Sequence, residues 1–563
     1  MSKISSPPYV LLYLVLGLLN TCAQVSACNS TIYCTGELLH TVQIRKIFGH
    51  SRTFVDLKLT KSPKTVLRTF EALMTETDNN PSSVQLRGFL EKHFEDREEL
   101  RYWHPTDFTP VPPIISEIKN PDLLQFAKDI INIWPKLGRK VSKDVYKNPK
   151  LYSFIYVPRG FIVPSENYKE LYYWDSYWII RGLLISKMMK TVRGMIENFL
   201  YLVVKFGYVP SGTRVYYLGR SQPPFLSWMV YDYFTATGDK AWLEQNIATV
   251  ETELQYWLKK KTVTVELKGS GYTLLRYVSD KYFKGPRPES YNEDYTNAQK
   301  VPENIRELFY MQIKSAVESG WDFSSRWLVT SAAKAEFNLT DVSTTKILPV
   351  DLNAIFAAAL QKTGNLRDHL GHHQSATKWW NLAEQWRDAI DNVLWDSDDG
   401  VWYDFDSRQM SRRKFFYISC ASPLWAGAVE PWLVPERARY FVRYLESSGA
   451  LRFPGGVPAS LWHTGEQYDY PNVWPPLQAM MISALENSDC SEAKRLARHQ
   501  IQLWVRAMYA GFKKYKRMFD NYNCLITGEH GSRTDYISQY GFGWTNAYTL
   551  ELLQKYGSEL TLD

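Results

Sequence analysis

The chain has 563 residues, 45% of them hydrophobic, and a formal net charge of +7. This composition excludes general disorder. The lysines are scattered among acids with no long basic run, so no nucleic-acid partner is expected. Aromatic residues make up 15%, including 20 Trp and 37 Tyr, a surplus suited to flat ligands such as sugars.

In chain order, the first predicted element is a secretory signal. Lys3 supplies a positive charge, and residues 9–19 form an apolar stretch too short to span a bilayer. Small residues follow, with cleavage after Ala23 or Ala27, so residues 1–27 read as a signal peptide. Residues 28–563 read as one domain, secreted and extracellular. Cys28 and Cys34 bracket a short loop and are expected to pair in an oxidising compartment. Cys420, Cys490 and Cys524 read as buried thiols. Asn29-Ser30-Thr31 and Asn338-Leu339-Thr340 are glycosylation sequons.

Helical periodicity dominates from there. Asn120-Pro121 provides a cap and a first-turn proline, after which Leu123, Ala127, Ile130 and Trp134 share a face. Val192, Ile196, Phe199, Val203 and Phe206 form a second stripe, stopped by Gly207. Trp379, Ala383, Trp386, Ile390 and Val393 form a third. The connections are long, aromatic and charged. "YVPSGTRVYYLGRSQPP" reads as a hairpin-like loop, and "LWDSDDGVWYDFDS" as an acidic turn followed by a short strand. Helix, turn, aromatic loop and next helix is the rhythm of a toroid of paired helices with ligand loops at one end. A plain bundle would have shorter loops. Residues 558–563 carry no hydrophobic tail, so no membrane anchor is expected.

Five loop segments set acids or arginines beside rings. In "YYWDSYW", residues 172–178, one acid lies among five aromatics. It fits a core helix with a buried acid, or a sugar platform in which rings stack on a pyranose and a carboxylate grips hydroxyls. "ESGWDFSSRW" sets Asp322 between Trp321 and Phe323. Apolar neighbours raise a carboxyl pKa, which a glycosidase acid requires. The competing reading is a structural acid paired with Arg326. The 10 His are scattered, and neither a phosphate loop nor a serine nucleophile elbow occurs. No metal and no cofactor are therefore expected.

At these segments the chain resembles the trehalase family, inverting glycosidases that cleave α,α-trehalose to two glucoses. Residues 170–177 reproduce the signature Glu-x-Tyr-x-Trp-Asp-x-Tyr. Residues 467–476 follow Gln-Trp-Asp-x-Pro, then Trp and Pro, with one ring changed. "RSQPP", "RPES", "ESGWDFSSRW" and "GFGWTN" also match. The resemblance implies an all-α fold, an (α/α)6 toroid with long active-site loops at one end, and trehalose as substrate. It implies Asp322 as general acid and Trp174 and Asp175 as sugar contacts. Arg220, Ser221, Gln222, Arg287, Pro288 and Glu289 would be further contacts, with Gly320 acting through its backbone.

The departures from the family lie in the site. Residues 165–168 are Ser-Glu-Asn-Tyr where the family has Gly-Gly-Arg-Phe, so a sugar-binding arginine becomes Asn167. A contact asparagine becomes Ser211, and Tyr468 stands for a tryptophan. The family's general base, a glutamate, corresponds to Asp520, one methylene shorter. The glycine-rich lid has lost most of its glycines and ends in Asp535 instead of glutamate. Retracting the base by about 1 Å costs about 100-fold, and losing the arginine contact costs about 1.5–3 kcal/mol. Three readings follow: a trehalose hydrolase slowed at its base, a sugar-binding protein without turnover, or another (α/α)6 glucosidase.

Overall fold

The computed structural model describes residues 28–280, 282–328, 339–532 and 540–562. Among these, six helices form a closed ring in which each touches the next and the last returns to the first: α2 (Tyr173–Ile185), α4 (Leu226–Thr237), α6 (Val350–His369), α8 (Ser422–Ala426), α10 (Pro475–Glu486) and α12 (Gly543–Tyr556). They are apolar on nearly every side, as helices enclosed on all faces must be; every residue from Pro475 to Leu485 is buried.

Six further helices pack outside the ring: α1 (Pro121–Ile131), α3 (Met189–Phe206), α5 (Lys240–Lys260), α7 (His373–Ala389), α9 (Val434–Ser448) and α11 (Ser491–Tyr515). These are one-sided. In α3 the stripe Val192, Ile196, Phe199, Val203 and Phe206 is buried, and Gly207 ends the helix at φ +82. In α1 the Asn120 side chain accepts from the N–H groups of Asp122 and Leu123, and Pro121 opens the first turn. The architecture is the (α/α)6 toroid. No helix among the described residues is long and apolar enough to cross a membrane.

The loops differ in part from expectation. Trp395–Asp396 pairs antiparallel with Val401–Trp402, as the strand reading predicts. The segment after α3 is not a hairpin. Residues Val215–Tyr217 form a 3-10 turn, and Arg214 bridges to Phe154. Its middle bonds residues 153–155, with Ile155 N–H on the Thr213 carbonyl and Val215 N–H on the Ser153 carbonyl at 2.8 Å each, while the Ser211 N–H meets the Arg220 carbonyl at 3.1 Å to close the loop. The third stripe also departs from a plain helix: Ile390–Leu394 forms a π turn, and Trp379 is only half-buried, its indole donating to Glu251 at 2.8 Å.

Residues 32–94 make a separate small hydrophobic cluster that shares Tyr216, Tyr217, Phe283 and Tyr291 with the loops above the ring. The Cys28–Cys34 disulfide is formed, and Cys420, Cys490 and Cys524 are buried free thiols.

Candidate active site

The loops that enter the inner helices converge on one cleft of about 390 Å³. Trp174 and Asp175 come from the first turn of α2, Gln222 from the approach to α4, and Gln467, Tyr468 and Trp474 from the approach to α10. Asp520 lies between α11 and α12. Arg287, Glu289, Gly320 and Asp322 come from the long connection between α5 and α6. "YYWDSYW" is a buried helix start, as the core reading has it, and its acid faces the cleft.

The acids occupy different environments. Asp175 is 8% exposed. Burial pushes its carboxyl up to about 7, and the charges of Asp322 and Asp520 add to the effect. Asp322 is half-buried at φ +38, a left-handed conformation that persists only where the surroundings enforce it. Burial raises its carboxyl too, against the pull of Arg287, a hydrogen bond from Gln467 and the charge of Arg220. The Gln467 amide donates to Oδ2 at 2.9 Å. Arg326 does not pair with Asp322. Its guanidinium is held by Asp351 and Asp404 at 2.7–2.9 Å in the core, so the structural-acid reading loses its partner. Asp520 is fixed through its backbone, where its carbonyl accepts the Trp544 indole N–H at 2.9 Å.

The remaining walls carry polar groups on aromatic supports. Arg220 bonds Glu289 at 2.8 Å and lies 5.1 Å over the Tyr217 ring. Burial pushes Glu289 up, but Arg220 and Arg287 outweigh it and hold the carboxyl below its usual value. Arg287 is clamped by Asp294 through Nε and Nη2 at 2.9 and 2.7 Å and lies over Phe323. Gln222 Oε1 accepts from the Trp174 N–H at 2.9 Å. Tyr468 stacks on Trp474 with ring centroids 4.0 Å apart. Trp174 Nε1, Ser211 Oγ and Glu289 Oε2 are buried with no hydrogen-bond partner among the described residues. Such groups are costly unless a polar ligand meets them.

Ten of the fourteen residues singled out in the sequence line the cleft: Trp174, Asp175, Ser211, Arg220, Gln222, Arg287, Glu289, Gly320, Asp322 and Asp520. Three do not. Ser221 is buried behind it, its N–H on Glu318 at 2.9 Å and its hydroxyl on the Val209 carbonyl at 2.7 Å. The Pro288 carbonyl accepts from Gln43. Asn167 is exposed, off the cleft lining. Asp535 lies outside the described residues. Sequence reasoning missed His50, Ser51 and Arg52, which wall the cleft from the N-terminal segment. Arg52 contacts buried Glu170 and donates to the Tyr172 hydroxyl at 2.7 Å. No local pattern marks it. Tyr168 and Trp544 were also missed as lining residues, although both lie in or beside the matched segments.

A cleft lined by five carboxylates, two clamped arginines and an aromatic floor is fitted to bind a small polyol and to move protons. Comparison with known proteins agrees. The sequence model of the trehalase family matches residues 46–557. The chain is 43% identical over 536 residues to a trehalase of Bombyx mori, covering 95% of this chain and 92% of that one. It is 40% identical over 553 residues to a trehalase of Homo sapiens, covering 98% and 94%. Among solved structures, a neutral trehalase from Saccharomyces cerevisiae aligns with a TM-score of 0.55 at 22% identity, covering 70% of this chain and 73% of that one. That last likeness concerns the fold alone.

Proposed function

The chain belongs to the trehalase family and is a glycoside hydrolase that cleaves α,α-trehalose to two glucoses; on that premise we propose that it works by inversion, with Asp322 as proton donor and Asp520 as base. Protonated Asp322 gives its proton to the glycosidic oxygen as the bond from the anomeric carbon breaks. Asp520 takes a proton from a water that attacks that carbon from the opposite face. The attacked ring leaves as β-glucose and the other as α-glucose. Inversion needs the two carboxyls roughly 6.5–9.5 Å apart, with the water between. Trp174, Asp175, Arg220, Gln222, Arg287 and Glu289 would grip the sugar hydroxyls.

The observation that carries this reading is the meeting of Asp322 and Asp520 in one cleft, with burial holding Asp322 toward its protonated form. The test is glucose release by the Asp322→Asn variant; retention of most of the parent rate would refute the assignment. A second reading, with Asp175 as the donor, has its raised carboxyl in its favour. In that case Asp175→Asn, not Asp322→Asn, would abolish the alkaline limb of kcat/KM. We also place the protein outside the cell, supported by the signal-like N-terminus and the Cys28–Cys34 disulfide. Partition of the expressed protein between culture medium and cell lysate tests this, and protein retained wholly inside the cell would contradict it.

A further inference from the structure

The turn that carries Asp322 holds a non-glycine residue at φ +38. Something must over-determine that conformation. Gly320 precedes it at φ +75, which shapes the turn but restrains nothing. The restraint comes from the residues just after it. Ser324 and Ser325 are both buried, and both are tied to one carboxyl group from another loop, Asp469.

Asp469 is fully buried and has no cation against it among the described contacts. Its Oδ1 accepts from the hydroxyls of Ser324 at 2.8 Å, Ser325 at 2.8 Å and Ser460 at 2.7 Å. Its Oδ2 accepts from the Ser325 N–H at 2.7 Å and the Thr464 hydroxyl at 2.5 Å. Five donors on one carboxylate fill its acceptor capacity. Two of the donor residues follow Asp322 in the chain, and two belong to the loop that enters α10. That second loop carries Gln467, whose amide donates to Asp322, and Tyr468, whose N–H bonds the Phe323 carbonyl at 3.1 Å. The Gln467 carbonyl is held in turn by Asn472 Nδ2 at 3.1 Å and the Trp474 indole at 3.0 Å.

We propose that Asp469 is a positioning residue for the reaction: it locks the loop bearing Asp322 to the loop bearing Gln467, and so sets the distance and direction of the Gln467 amide on the donor carboxyl. It touches no substrate, since it does not line the cleft. It acts through two neighbours, and its chemistry suits that task. A carboxylate accepts at both oxygens, whereas an asparagine in the same place would replace one acceptor by a donor and force the facing hydroxyls to turn. At least one of the five bonds would break, since the Ser325 N–H cannot reverse its direction and an NH2 group serves at most two of the three hydroxyls on Oδ1, and the register between the loops would loosen with it. This inference rests on Asp322 being the proton donor.

The experiment is Asp469→Asn alone and combined with Asp322→Asn, with kcat, KM, the pH profile and thermal unfolding recorded for each. The expected result for Asp469→Asn is a folded protein whose kcat falls about 10- to 100-fold and whose KM changes less than about threefold. The alkaline limb of kcat/KM should move to higher pH. The sign follows from the Gln467 hydrogen bond, which favours the charged carboxylate; loosening it favours the neutral form. In the Asp322→Asn background the further change should leave the residual rate nearly unaltered, because the two act as one unit. A loss of rate proportional to lost folded protein, with an unmoved pH limb, would reduce Asp469 to a structural role and overturn the proposal. So would a kcat within twofold of the parent. If Asp469→Asn fails to fold, Ser325→Ala replaces it. That change removes one of the five bonds and keeps the backbone one, and roughly a 3- to 10-fold loss of kcat with the same direction of pH shift is expected. An unchanged profile there refutes the lock. An Asp322→Asn variant that keeps the parent rate would refute the donor assignment instead, a separate and recognisable failure.

Discussion

Gly320→Ala is the sharpest single perturbation of the donor turn. Gly320 sits at φ +75, where an alanine costs about 1–2 kcal/mol. Its Cβ would also lie 3.1 Å from Cδ2 and 3.2 Å from Cγ of Trp174. Carbon atoms in contact prefer about 3.5–4.0 Å, so turn and ring must part by about 0.5 Å. The ring cannot yield easily. It packs on Phe225 and Trp178 with centroids 5.5 and 5.9 Å away, and the Trp174 N–H is bonded to Gln222. The turn moves instead, carrying Asp322. A 1 Å misplacement costs about 100-fold, so half of that costs roughly tenfold in kcat/KM. Stability should fall by about 2 kcal/mol, or about 2 °C in Tm for a domain of this length. Gly371→Ala is the control: its φ is +84 and no atom lies within 4 Å of the added Cβ. It should carry the conformational cost alone and leave kcat/KM unchanged. The assay is glucose release alongside thermal unfolding of both variants. A Gly320→Ala enzyme within twofold of the Gly371→Ala rate would refute the reasoning.

Other outcomes are expected from the same site. Asp322→Asn should lower kcat at least about 100-fold while leaving Tm no lower than the parent's, because it removes a carboxyl that burial already holds toward neutrality; paired kinetics and unfolding check both halves. Asp520→Glu should return a retracted base to its water and raise kcat by roughly 5- to 150-fold; a slower variant would show that the backbone already brings Asp520 into place. The folded pKa of Asp175, about 7, lies above the ~3.9 of an unfolded aspartate. The stability tied to its neutral form is therefore complete below about pH 4 and is lost as pH rises through about 7. Asp175→Asn removes that loss, so the Tm of the variant minus that of the parent should grow between pH 4 and 7, and a constant difference would contradict the burial argument.

Much of the ring was readable because its outer helices carry one-sided stripes with their own stops, as at Asn120 and Gly207. The inner helices were harder. α10, buried on all sides, has no periodicity to read, so the rhythm of helices and long loops suggested a toroid of paired helices while its six-fold form came from the family resemblance. Asp322 was legible through its two flanking rings. Its supports were not: Asp469 lies 145 residues from Ser324 along the chain, and nothing local announces a bond of that reach. Arg52 is hidden for the same reason, since its partner Glu170 is 118 residues away. Asn167 shows the converse. Its place in a motif suggested a sugar contact, yet the chain turns it to solvent and off the cleft lining.

The most direct test of the account is proton NMR of trehalose hydrolysis at early times, before the anomers equilibrate. Inversion at one anomeric carbon, with proton donation to the oxygen kept by the other ring, predicts β-glucose and α-glucose appearing in equal amounts. Fresh product that is α-glucose alone would mean retention and would contradict the pairing of Asp322 with Asp520.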